Sequence, residues 1–149
     1  MNVAKGHAYG NDFLLVPYEP GDNDVSGFVR RMCDRHQGIG ADGVIFYRER
    51  DRGARMDLAN ADGSYSELSG NGIRVLAAHL ARTQGLAPGT TVTIDSDAGP
   101  KTLDLLSVDR SRYTFRAAMG EPTDVREVKI PVLNETIRSE EHTSELQSH

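Results

Sequence analysis

Three short segments carry groups suited to holding a small charged ligand: Gly10-Asn11-Asp12-Phe13, Asn60-Ala61-Asp62-Gly63 and Ser69-Gly70-Asn71-Gly72. The third opens a stretch with helical apolar spacing, so its backbone N–H groups stand at the positive end of a helix dipole. A carboxylate suits that place, and the small side chains let it come close. Asn side chains elsewhere each carry donors and acceptors, so they can bond both the ammonium and the carboxylate of an amino acid. Taken singly, each segment also has an ordinary use. Ser69 is a favoured helix N-cap, Asn60 to Gly63 makes a hairpin turn, and Asn11 serves as a turn residue before a strand. In this order along one chain, they are harder to dismiss.

The elements that must position them follow from the apolar pattern. Asp12 to Val16 reads as a strand closed by Pro17, and Pro20 to Asp24 as a loop. Val25, Phe28, Val29, Met32 and Cys33 recur with helical spacing over 25–36, and Gly38 and Gly40 are expected to end that helix. Gly43 to Tyr47 resumes as a strand, and Met56, Leu58 and Asn60 alternate along another, followed by the Asp62-Gly63 turn signal. Ile73, Leu76, Ala77, Leu80 and Ala81 mark a second helix ending near Gly85. Val75 and Ala78 spread its apolar surface around most of the circumference, so it should be buried. Thr90 to Ile94, Thr102 to Val108 and Tyr113 to Ala117 read as further strands, with ordinary turns at Pro88-Gly89 and over 97–100. The pattern predicts an α+β domain in which a curved mixed sheet covers a central buried helix.

Composition bounds the function. With 38% hydrophobic and 26% charged residues, the chain suits a globular protein. Its net charge of −5 argues against a nucleic-acid or anionic-membrane surface, so neither partner is expected. A single cysteine excludes an internal disulfide and fits a reducing cytoplasm, and no apolar run approaches bilayer length. Residues 138–149, RSEEHTSELQSH, lack periodicity and turn chemistry. Back-translated, they match a common short-read sequencing adapter carried through in frame. They are expected to be a non-biological tail, leaving a natural sequence that stops near Ile137.

The motifs also carry a specific resemblance. Residues 5–13 (KGHAYGNDF), 34–43 (DRHQGIGADG), 60–64 (NADGS) and 70–74 (GNGIR) resemble the motifs of diaminopimelate epimerases, and the likeness extends over residues 1 to about 122. Proline racemases share the fold but have His where this chain has Asn71, which favours the epimerase branch. The resemblance implies an enzyme of two pseudo-symmetric domains that interconverts LL- and meso-diaminopimelate in lysine and peptidoglycan biosynthesis. It implies no cofactor, neither pyridoxal phosphate nor a metal, and a homodimer as the assembly. It places Asn11, Asn60, Gly70 and Asn71 on the bound amino acid. On this reading residues 1–120 form the amino-terminal domain, 121–137 begin a truncated second domain, and a boundary falls near Gly120-Glu121-Pro122.

The departure lies at the catalytic position. Relatives use two cysteines on opposite faces of the α-carbon, and this chain has Ser69 at the first. A hydroxyl is a far weaker acid than a thiol, whose reference pKa is about 8.5, so it is a poor resting base. Cys33 lies within the first helix among apolar neighbours and reads as a packing residue. His7 and His36 read as hydrogen-bonded structural groups, and no spacing supports a zinc site. Two further readings stay open: a one-base dehydratase or racemase relative, and a non-catalytic amino-acid-binding or partner-binding protein. Because the family's last strand returns to complete the first domain, this chain is expected to carry an unpaired sheet edge.

Overall fold

The computed structural model describes residues 2–19, 21 and 24–118, together with the backbone of three strands at 126–132, 135–139 and 144–148. In chain order these give β1 (Ala4–Ala8), β2 (Asn11–Pro17), α1 (Val25–Cys33), β3 (Gly43–Arg50), β4 (Gly53–Asn60) and β5 (Tyr65–Ser66). There follow α2 (Gly70–Gln84), β6 (Thr91–Asp95), β7 (Lys101–Asp109), β8 (Arg112–Ala117), β9 (Arg126–Val132), β10 (Glu135–Ser139) and β11 (Ser144–Ser148). One mixed sheet runs β1-β2-β3-β4-β6-β7-β8-β11, with β5 paired to β4 as a side branch. The β2–β3 and β4–β6 pairs are parallel and the others antiparallel. β9 and β10 form a separate hairpin. The domain boundary expected near residue 120 lies outside the described residues.

The apolar runs of β2 and β3 are continuous because both faces of those strands are covered. Phe13, Leu15, Ile45 and Tyr47 face inward with Met56 and Leu58, onto Ile73, Leu76 and Leu80 of α2. Leu14, Val16 and Val44 face outward and meet Val29 and Cys33 of α1. α2 touches β1, β2, β3, β4, β6, β8 and β11, so the sheet curls around it, as the all-round apolar surface of this helix requires. Among the described residues no helix is long and apolar enough to cross a membrane.

One expectation is corrected. α1 ends at Cys33 rather than His36, because the Asp34 carboxylate accepts the N–H groups of His36 (2.8 Å) and Gln37 (3.0 Å) and turns the chain before Gly38. β1 has no counterpart in the sequence reading. β11 runs antiparallel to β8, with Leu146 opposite Phe115, so among the described residues the sheet ends on β1 and β11, and the expected unpaired edge lies there rather than on β8. An edge strand presents a row of unmet backbone donors and acceptors that an extended segment within reach can satisfy.

Leu76 has no solvent exposure and lies between the helix and the inner sheet face. Leu76→Ala should remove about 2–5 kcal/mol of stability. The effect should appear as a lower urea midpoint at unchanged slope; an unmoved midpoint would show that the sheet does not close on α2.

Candidate active site at the amino terminus of the buried helix

The turn between β1 and β2 is made by Tyr9 and Gly10, both with positive φ (53° and 81°). A two-residue turn of this kind matches the twist of its strands, although a tyrosine there is unusual. His7 Nδ1 accepts the Gly10 N–H at 3.2 Å and closes the turn. Asn11 therefore becomes the first residue of β2, at the same end of the sheet as Gly43 of β3 and Asn60 of β4, which are paired in register.

A charged clamp fastens this end. Arg35 donates to both oxygens of Asp12 (3.0 and 2.8 Å) and to Asp42 (3.1 Å), while Lys5 lies 3.3 Å from Asp12. The Asp12 side chain is 14% exposed, and the Arg35 guanidinium beside it holds its carboxyl well below the usual carboxylate range. Asp42 Oδ2 accepts from Asn11 Nδ2 (2.7 Å) and from the Asp12 N–H (3.0 Å). The backbone continues the tie, since Asp42 N donates to Asp12 O and Ala61 N donates to Asp42 O, each at 2.9 Å.

Asn60 stands at the other end of that tie, in a turn locked by its own polar groups. The Asp62 carboxylate accepts from Ser64 N (2.8 Å) and Oγ (2.6 Å), and Asn60 Nδ2 donates to Ser64 Oγ (3.0 Å). Gly63 has φ +87°, and a Cβ there would stand 2.3 Å from Ser26 Oγ, so the turn can lie against α1 only with glycine.

The entrance to α2 completes the group. Ser69 has extended backbone and is the N-cap, its Oγ accepting the Gly72 N–H at 3.0 Å while its carbonyl takes Ile73 N at 3.0 Å. The cap leaves the first-turn N–H groups of Gly70 and Asn71 for another acceptor. Asn71 Nδ2 donates to Asn11 Oδ1 (3.3 Å), which joins helix to sheet. One turn along, the buried Arg74 donates to the Gly70 carbonyl (2.7 Å), and burial draws its pKa down.

Of the site residues expected from sequence, Ser69, Gly70 and Asn71 share one helix end and Asn11 touches Asn71. Asn60 makes no side-chain bond to them and connects through Ala61 and Asp42. Cys33 lies in the outer core, and burial pushes its thiol up. Sequence reading passed over Asp42 and Arg35 as bonding groups. Their signal was a pair of charges bracketing a Gly-rich loop between helix and strand. Among the described residues, no three His, Cys, Asp or Glu side chains gather where they could hold a metal ion. Chemically, the arrangement offers N–H donors to an anion, an amide oxygen beside them and a hydroxyl at the cap.

A model of the family "Diaminopimelate epimerase" matches residues 3–125. This chain belongs to the diaminopimelate epimerase family. It is 40% identical over 129 residues to a diaminopimelate epimerase of Corynebacterium glutamicum, covering 80% of this chain and 46% of that protein. It is 38% identical over 126 residues to an O-ureido-serine racemase of Streptomyces lavendulae, covering 82% of this chain and 42% of that one. The chain thus spans about half the length of the curated relatives it matches. A hydroxyproline epimerase structure from Agrobacterium vitis superposes with a TM-score of 0.57 at 18% identity, over 91% of this chain and 46% of that one. The diaminopimelate epimerase-like fold expected from the motifs is therefore the one observed.

In this member of the diaminopimelate epimerase family, the clamp also sets a pH dependence. A carboxyl whose folded pKa is depressed adds stability above its unfolded pKa of about 3.9 and loses it as pH falls further. Wild type should therefore lose more stability than Asp12→Asn between about pH 6 and pH 3, read from urea midpoints at each pH. Equal losses would show that Arg35 does not hold Asp12 in solution.

Proposed function

We propose that this chain is the amino-terminal half-site of a cofactor-independent amino-acid epimerase of the cytoplasm. Its substrate in this reading is diaminopimelate, whose LL and meso forms it interconverts for lysine and peptidoglycan synthesis. The observation that carries the proposal is the end of α2, where Gly70 and Asn71 keep their N–H groups while Asn11 is bonded to Asn71. The substrate carboxylate sits on those N–H groups, and charge gathering there as the α-proton leaves is stabilised by donors already in place. Asn60 contributes from the neighbouring turn. Residues 121–137 begin the second domain, which in this reading supplies the other face of the site. Identity over this half does not choose between substrates, since relatives named for diaminopimelate and for O-ureido-serine stand at 40% and 38%.

Ser69 supports a narrower statement about this chain by itself. Its oxygen is engaged by Gly72 N–H, and a hydroxyl has no anionic form ready to take an α-proton at neutral pH. The chain alone binds the amino acid and leaves its α-hydrogen in place. A thiol at this cap would be acidified by the same N–H and the same helix end. In deuterated buffer, NMR should show meso-diaminopimelate binding to the 149-residue chain without α-deuterium uptake. Ser69→Cys should give measurable uptake, about a hundredfold or more above the background of the parent chain, the lower end of what one positioned proton-transfer group supplies. Uptake by the parent chain without inversion would instead favour the one-base reading. No binding by either form would remove the amino-acid site altogether.

A further inference from the structure

We infer that Asp42 is a positioning residue that fixes the polarity of the Asn11 amide, so that Asn11 offers an oxygen to the ligand and recognises its ammonium group. The inference rests on the amino-acid site proposed above. An amide side chain can in principle face its surroundings either way round, and here the neighbours decide. A carboxylate has only lone pairs to offer, so the edge of Asn11 that lies 2.7 Å from Asp42 Oδ2 must be its NH2. The opposite edge, Oδ1, then faces the entrance of α2, where Asn71 Nδ2 donates to it at 3.3 Å. Reversing Asn11 would set its oxygen against the carboxylate and lose the bond to Asp42.

Asp42 is itself held in place. Its carboxylate also takes the Asp12 N–H (3.0 Å) and Arg35 (3.1 Å), and its backbone N–H donates to Asp12 Oδ1 (3.0 Å). The instruction therefore runs one way, from an anchored carboxylate through one amide to the next. The Asn11 oxygen has two lone pairs and Asn71 uses one, which leaves one for a ligand donor. Beside it the helix start presents the N–H groups of Gly70 and Asn71. The entrance is bipolar, with donors on α2 for a carboxylate and an acceptor on β2 for an ammonium.

The test uses the full 149-residue chain and two probes, meso-diaminopimelate and pimelate, the same dicarboxylate without its ammonium groups. Isotope-labelled asparagine reports the ligand-free state by NMR. In wild type one Asn11 amide proton should be shifted and slow to exchange, and Asp42→Asn should abolish that signature. By calorimetry wild type should prefer meso-diaminopimelate to pimelate by about tenfold or more. Asp42→Asn should lose that preference while still binding pimelate, whereas general damage to the fold would weaken both ligands together. Asn11→Leu, which leaves the ion pairs of Asp42 in place, should lose the preference equally and serves if Asp42→Asn fails to fold. A preference kept in either folded variant, or an Asn11 signature indifferent to Asp42→Asn, overturns the inference. If wild type binds neither probe, the amino-acid reading fails and the ammonium role falls with it. The NMR signature then still decides whether Asp42 sets the amide.

Discussion

A helix enclosed by a curled sheet loses water along its length, and its two polar ends must then be satisfied locally. α2 solves this unequally. At its carboxyl end Gly85 adopts the left-handed conformation, and the N–H groups of Gly85 and Leu86 both return to the Ala81 carbonyl. At its amino end Ser69 serves Gly72, and the donors of Gly70 and Asn71 stay available. The surrounding elements complete that difference. The sheet buries the sides of the helix and the Tyr9-Gly10 turn sets the start of β2. The clamp around Asp42 then brings Asn11 up to the open end.

The clamp is charged, and its charges sit where that is tolerable. Asp42 and Arg35 are exposed, while the more enclosed Asp12 has a two-pronged guanidinium, a lysine and the Asp42 backbone N–H for company. Exposed ion pairs contribute little to stability. What these supply is geometry, since β1, β2, the loop after α1 and the turn after β4 are all tied at one point. The outer helix α1 backs the same end, because Gly63 lets the Asn60 turn lie directly against Ser26. Packing therefore holds the elements together, and directional bonds set which atoms meet.

Those two kinds of force were unequally legible in the sequence. The buried helix, its cap at Ser69 and its stop at Gly85 could be read because apolar spacing and cap chemistry are local. The apolar runs of β2 and β3 marked them as strands, while their coverage on both faces emerged only from the fold. β1 left no such mark, since its inward-packed residues are as small as Gly6 and Ala8 and give no alternation. The hairpin joining β3 to β4 was hidden as well. Its turn is Asp51-Arg52, with Arg52 rather than glycine at positive φ, and β3 runs on through the polar Arg48, Glu49 and Arg50. Asp42 and Asn11 are separated by 31 positions, and nothing periodic announces that one amide will meet one carboxylate.

Position 69 shows why the fold does not by itself report the chemistry. The cap needs an acceptor for Gly72 N–H, and serine is among the residues that best supply one. A proton-transferring thiol at the same place would ask the identical N–H to stabilise its anion. The structural demand and the chemical demand therefore fall on the same atom, and serine meets only the first. Gly72 adds a steric limit, since a Cβ there would crowd Ser69 Cβ at 3.2 Å and Ile45 Cδ1 at 3.4 Å, so the cap residue and the helix start are fitted to each other. On the reading proposed above, oxygen in place of sulfur keeps the helix start and its two open N–H groups and gives up a base. In that reading ligand binding and proton transfer depend on different atoms of this one helix end.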